Sequence, residues 1–113
     1  MGLATSDVVV YRVASHSIVQ DDELTRFELD IFSLIRKHPR VRLAVDFSKT
    51  FHVSSRALGL LVAFRKEINE AGGRIVLFGI NPAIGKVMEV TRLDTLIPIF
   101  PDEGDARQSL IAE

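Results

Sequence analysis

The run Arg74-Ile75-Val76-Leu77-Phe78-Gly79 constrains the fold of this chain more than any other stretch. It is apolar almost throughout, so a strand built from it cannot show either face to water. Such strands belong in the interior of a parallel sheet with helices over it. The flanks agree with that assignment. Gly72-Gly73 closes a helical pattern before it, as glycine does at helix C-termini. Asn81-Pro82 opens another after it, with a capping side chain and then a proline whose missing N–H costs a first turn nothing.

The same alternation runs through the rest of the chain. Residues 8–13 (Val-Val-Val-Tyr-Arg-Val) are rich in β-branched side chains and read as a strand. Ile18-Val19 is expected to add a short second one. Asp21 or Asp22 can cap a helix in which Leu24, Phe27, Ile31, Leu34 and Ile35 recur at helical spacing to about Lys37. Pro39 stops it. Residues 41–47 form the next strand, with Leu43 and Val45 as core residues. A helix then opens at Ser54 or Ser55 and runs to about Ala71, with an inner face of Leu58, Leu61, Phe64 or Arg65, and Ile68. The helix capped by Asn81 turns Ile84, Val87, Met88 and Thr91 inward, and Arg92-Leu93-Asp94 forms its exit. Residues 97–100 form a short strand that Pro98 confines to a sheet edge. Residues 102–112 form a closing helix with Ala106 and Leu110 facing in. The order β-(β)-αβαβαβα predicts an α/β sandwich around a mainly parallel sheet.

At 113 residues the chain has the length of a single domain, 1–113, with a core at about 8–110. Hydrophobic residues make up 47% of it, enough to bury a core without covalent staples. Fourteen basic against fifteen acidic residues leave a net charge of -1, which recommends no nucleic acid as partner. There is no cysteine, so disulfides and thiolate metal sites are excluded and a cytoplasmic location is expected. Residues 1–7 lack the basic and apolar regions of a signal peptide. No apolar run is long enough to span a bilayer, so no membrane insertion is expected.

Little in the chain resembles catalytic machinery. His16, His38 and His52 are scattered and lack metal-site spacing. Gly72-Gly73 and Gly79 match neither phosphate-loop fingerprint and read as turn glycines. No catalytic residue, metal or cofactor is expected, and the chain is not read as an enzyme. The informative polar segment is Phe51-His52-Val53-Ser54-Ser55-Arg56-Ala57-Leu58-Gly59. It puts two adjacent serines where a loop becomes a helix. The first amides of a helix have no intrahelical partners and carry partial positive charge. A hydroxyl there caps the helix, and a phosphate there meets an anion site. The Gly-x-Ser-x-Gly of a nucleophile elbow is absent. The site therefore suits a phosphorylation switch better than covalent catalysis. Asp46 ends a strand beside this loop, where it can bind a cation or accept loop amides. Arg56 lies in the first helical turn, where it can pair with a carboxylate or a phosphate or remain solvated.

Several segments together resemble the STAS domain, the sulphate transporter and anti-sigma factor antagonist domain. They are Asp46-Phe47-Ser48, Phe51-x-x-Ser54-Ser55-x-Ala57-Leu58-Gly59, Ala71-Gly72-Gly73-Arg74-Ile75-Val76-Leu77, Asn81-Pro82 and Val90-Thr91-Arg92-Leu93-Asp94. The resemblance covers roughly residues 8–110 and is closest to single-domain bacterial anti-sigma factor antagonists. It implies a mixed, mainly parallel sheet of four to five strands with helices mainly on one face. It also implies partner switching. An ATP-dependent serine kinase that doubles as an anti-sigma factor binds the unphosphorylated antagonist, and its sigma factor is freed. Phosphorylation at the helix start releases the antagonist, and a phosphatase resets it. Aligned on the motif, Ser54 is the phosphoacceptor, with Ser55 as the alternate. Val53, Ser54, Ser55, Arg56 and Asp46 would form the partner-binding site, on a monomer or weak dimer. Val53 stands where aspartate is common and Arg56 where glycine or alanine is usual. These departures motivate the alternative of a non-switching STAS adaptor, in a sensory assembly or bound to a lipid-transporter ATPase.

Overall fold

The computed structural model describes residues 8–14, 17–18 and 21–111. The elements are β1 (Val8–Arg12), β2 (Ser17–Ile18), α1 (Asp21–Lys37), β3 (Arg42–Asp46), β4 (His52–Val53), α2 (Ser55–Glu70), β5 (Arg74–Phe78), α3 (Pro82–Val90), a 3-10 turn (Leu93–Thr95), β6 (Ile99–Phe100) and α4 (Glu103–Ile111). Val19 and His16 lie outside the described residues. Asp21 and Asp22 are the first two residues of α1.

The main sheet has the order β1-β3-β5-β6. All three of its pairings are parallel, so among the described residues it is not mixed. The register sets Tyr11 beside Val45, Val45 beside Leu77 and Leu77 beside Ile99. Because side chains alternate along a strand, these residues line one face, and their neighbours Val10, Ala44, Val76 and Phe100 line the other. The first face carries the larger core, built with Leu24, Phe27, Ile31 and Ile35 of α1, Ala57, Leu61, Phe64 and Ile68 of α2, and Ile84 and Met88 of α3. On the second face Ala106 and Leu110 of α4 pack on Ala44, Val76 and Phe78. Three helices on one face and one on the other is the arrangement expected of helices mainly on one side. β2 and β4 form a separate two-stranded parallel ribbon. β4 escapes sequence reading because two residues carry no period.

Two helices turn different faces inward from those expected. In α2 the buried stripe is Ala57-Leu61-Phe64-Ile68, while Leu58 and Arg65 are half-buried flanks. Phe64 holds its place through edge-on contacts with Phe27 (5.2 Å) and Phe32 (5.1 Å). Each such pair contributes about 1 kcal/mol beyond area burial. In α3 only Ile84 and Met88 are buried, whereas Val87 is 42% exposed and Thr91 is exposed. A nine-residue helix presents only a narrow stripe to the sheet, and the Thr91 hydroxyl donates to the Val87 carbonyl instead (2.8 Å).

Candidate functional site

The loops that leave the C-terminal ends of β3 and β5 meet at one rim of the sheet. That rim is where parallel sheets usually place their functional groups. The chain leaving β3 is pinned there by contacts from several directions. The Phe47 amide donates to the Phe78 carbonyl (3.0 Å), and Phe47 is buried. The Ser48 amide donates to Asp46 Oδ1 (2.8 Å), and the Thr50 amide donates to the Phe47 carbonyl (2.9 Å). Asn81 Nδ2 donates to the Thr50 carbonyl (3.2 Å) while Asn81 Oδ1 accepts from Ile84 N (2.9 Å). One side chain thus caps α3 and anchors the serine loop. Gly79 sits at φ +72°, and a Cβ there would lie 3.1 Å from Ser48 N. Only glycine lets the two loops approach so closely.

Beyond Thr50 the chain pairs briefly with β2 through His52 and Val53, then turns into α2. Ser54 is the N-cap, in extended conformation (φ -91°, ψ 167°). Its Oγ accepts from Ala57 N at 3.2 Å. Ser54 and Val53 are half-buried, whereas His52, Ser55 and Arg56 are exposed. Phe51 is 53% exposed just before them, an apolar ring at the site's border that was not among the expected partner-binding residues. The first turn of α2 holds no acidic residue of its own to offset the positive end of the helix.

Asp46 takes the loop-bonding role. It is only 7% exposed. Oδ1 accepts from Ser48 N, and Oδ2 pairs with Arg12 at 2.9 Å. Arg12 also pairs with Glu103 (2.9 Å), which in turn pairs with Arg107 (2.8 Å). Burial, the largest single influence, works against ionising the Asp46 carboxyl. The Ser48 hydroxyl and amide and the Arg12 guanidinium together outweigh it and hold the carboxyl below its ordinary value. Asp46 therefore stays charged and supports the loop from inside; Val53, Ser54, Ser55 and Arg56 are left to form the outer surface. The loop amide was among the partners expected of Asp46, but its ion pair with Arg12 was not legible in the sequence. Arg12 faces it only because Arg12 and Asp46 share a register position. Among the described residues no group of three or more His, Cys, Asp or Glu side chains could hold a metal ion. No described helix is long and apolar enough to cross a membrane.

A family profile for the STAS domain matches residues 4–106. The chain belongs to the STAS domain family. A similar curated relative is an anti-sigma F factor antagonist of Paenibacillus polymyxa. It is 20% identical over 103 residues, covering 91% of this chain and 86% of that one. The fold is shared with a putative anti-sigma factor antagonist of Thermotoga maritima, at TM-score 0.79, 20% identity and coverage of 92% and 91% of the two chains. It is also shared with the anti-sigma factor antagonist SpoIIAA in its unphosphorylated form, at TM-score 0.70, 15% identity and coverage of 98% and 94%.

Proposed function

We propose that this protein is a cytoplasmic anti-sigma factor antagonist that exchanges partners according to the phosphorylation of Ser54. Its partner is an ATP-dependent serine kinase that doubles as an anti-sigma factor, and a phosphatase resets it. The protein itself is a binding module and catalyses nothing. The observation that carries this reading is Ser54 as the N-cap of α2 on a pinned loop in a STAS domain. A capping hydroxyl at a half-buried position meets a kinase without unfolding of the domain. Phosphorylation there adds a charge of roughly -1.5 to -2. The positive helix end accepts that charge locally. A partner docked over Phe51, Val53, Ser55 and Arg56 meets a reversed field and dissociates. The names of the relatives, one a curated anti-sigma F factor antagonist and one an antagonist described in its unphosphorylated form, support the same direction.

Arg56 favours a second reading. An exposed guanidinium in the first turn of α2 changes the surface a kinase would cover. It suits a constitutive adaptor in a sensory assembly or on a lipid-transporter ATPase. One experiment separates the two. Wild type and Ser54→Asp are used side by side as bait in lysate of the native host, and captured proteins are identified by mass spectrometry. Switching predicts a kinase-like ATPase captured by wild type and lost with Ser54→Asp, and phosphate mapped to Ser54 when that ATPase is supplied with ATP. Equal capture by both baits, or capture of a transporter ATPase, moves the assignment to the adaptor.

A further inference from the structure

Among the described residues β1 is an outer strand of the main sheet and pairs only with β3. The Val13 amide donates to the Asp46 carbonyl (3.0 Å). Backbone groups along a strand alternate sides with a period of two. Tyr11 and Val9 therefore face β3 as Val13 does, and Val8, Val10 and Arg12 turn their N–H and C=O groups outward. The strand Val-Val-Val-Tyr-Arg contains none of the proline or lysine residues that usually blunt an edge. Beside it runs a cleft of about 400 Å³ between Tyr11 and Val13 on one wall and Glu23, Arg26 and Asp30 of α1 on the other. The cleft continues past Asp30 to Ser33 and Lys37.

We propose that this edge is a homodimer interface, in which β1 pairs antiparallel with β1 of a second copy about a twofold axis at Val10. In that register Val10 exchanges two hydrogen bonds with its twin, and Val8 exchanges two with Arg12 of the other copy. Every outward backbone group of the strand is then used within the strand itself; a register centred on Tyr11 would set Val8 opposite Ala14, past the end of β1. Val9 comes opposite Tyr11, a β-branched and aromatic cross-strand pair. The interface is self-complementary and closes at two copies, so the open edge does not propagate into a fibre.

Charge on α1 selects a second copy as the occupant. Glu23, Arg26, Asp30, Ser33 and Lys37 recur at i, i+3, i+7, i+10 and i+14, one stripe of the helix flanking the cleft. The stripe is acidic at its start and basic at its end. A twofold axis runs the two α1 helices antiparallel. Glu23 then meets Lys37 of the other copy, and the two Asp30 side chains flank the axis, each within a turn of the other copy's Arg26. A parallel arrangement would put like charges together. The Tyr11 hydroxyl donates to Asp30 Oδ2 at 2.6 Å, which ties the middle of the helix to the level of the strand's centre. One axis therefore serves both pairs.

Sedimentation velocity of the full chain across micromolar to submillimolar concentrations tests this independently of Ser54. The expected mass rises from 12.6 kDa toward twice that value. Val10→Pro removes an outward donor and leaves the bonds to β3 intact, a change edge strands tolerate. It is expected to remain monomeric with an unchanged far-UV spectrum. Lys37→Glu, at an exposed position, is expected to weaken association by roughly tenfold. Adding Glu23→Lys to it is expected to restore association. A wild type that stays at the monomer mass throughout overturns the proposal. So does a dimer that Lys37→Glu leaves unchanged, a result that holds even if Val10→Pro fails to fold.

Discussion

Ser54 owes its role to its backbone as much as to its hydroxyl. Its extended φ and ψ put the side chain over the first turn of α2, where Oγ meets the Ala57 amide. That bond satisfies one of the orphan donors at the helix start. Ser54→Ala is therefore expected to cost about 1 kcal/mol, read as a lower urea midpoint. Ser54→Asp caps the helix as well as serine does and is expected to keep near wild-type stability. The two variants thus separate folding from partner binding. A partner lost with aspartate but kept with alanine responds to charge and not to a frayed helix.

At the scale of elements, the two ends of α2 fix its place on the sheet, the first at the serine loop and the second at the entry to β3. At its C-terminus the Gly73 amide donates to the Ile68 carbonyl (2.9 Å) and the Gly72 amide to the Asn69 carbonyl (3.1 Å), the paired bonds of a Schellman motif. The two glycines serve different needs. Gly72 supplies a left-handed conformation at φ +89°, and a Cβ there would meet only the Arg40 side chain, at 3.6 Å. Gly73 passes so close to the β3 entry that a Cβ would lie 2.4 Å from the Val41 carbonyl oxygen. Gly72→Ala is expected to cost about 1 kcal/mol through backbone strain. Gly73→Ala should cost more, about 2–3 kcal/mol, because backbone must move. Thermal unfolding of the two variants checks the order, and equal losses would contradict it. Gly72-Gly73 was legible as a helix stop, but only the packing of β3 against β5 distinguishes the two positions.

Over the whole molecule, α4 joins the serine rim to the far end of the sheet. Its N-terminal turn carries Glu103 and Asp105, and Asp102 Oδ1 accepts from Asp105 N (2.9 Å). At its other end Arg42 donates to the Leu110 carbonyl (2.7 Å) and Arg74 to the Ser109 carbonyl (3.4 Å). Acids at the start and cations at the end both favour the helix dipole. The chain Arg107–Glu103–Arg12–Asp46 then runs from α4 through β1 to the serine loop. Asp46 binds its proton less tightly folded than unfolded. Its contribution to stability is complete above the ordinary value near 3.8 and is lost as pH falls through the lower folded value. Glu103, held low by Arg107 and then Arg12, acts in the same direction. Urea denaturation at a series of acidic pH values should show wild type losing stability below about pH 4. Asp46→Asn should start less stable and show a shallower loss; an unchanged slope would mean that Asp46 is not the titrating group.

The sequence by itself determined the order of elements apart from β4, the parallel character of the sheet, a serine cap at Ser54 or Ser55, the cap at Asn81, and the glycine stop after α2. All of these are written within a few neighbouring residues, as a period, a capping oxygen or a missing Cβ. It also carried the family, through several short segments in order. Tertiary structure alone decided what lies between segments far apart in the chain. It paired β2 with β4, rotated α2 onto Ala57 and α3 away from Val87, and set Asn81 against Thr50. It also put Arg12 beside Asp46, which turned a rim carboxylate into an internal support. Those choices depend on strand register and on the angle at which each helix meets the sheet, and no local pattern of residues encodes either.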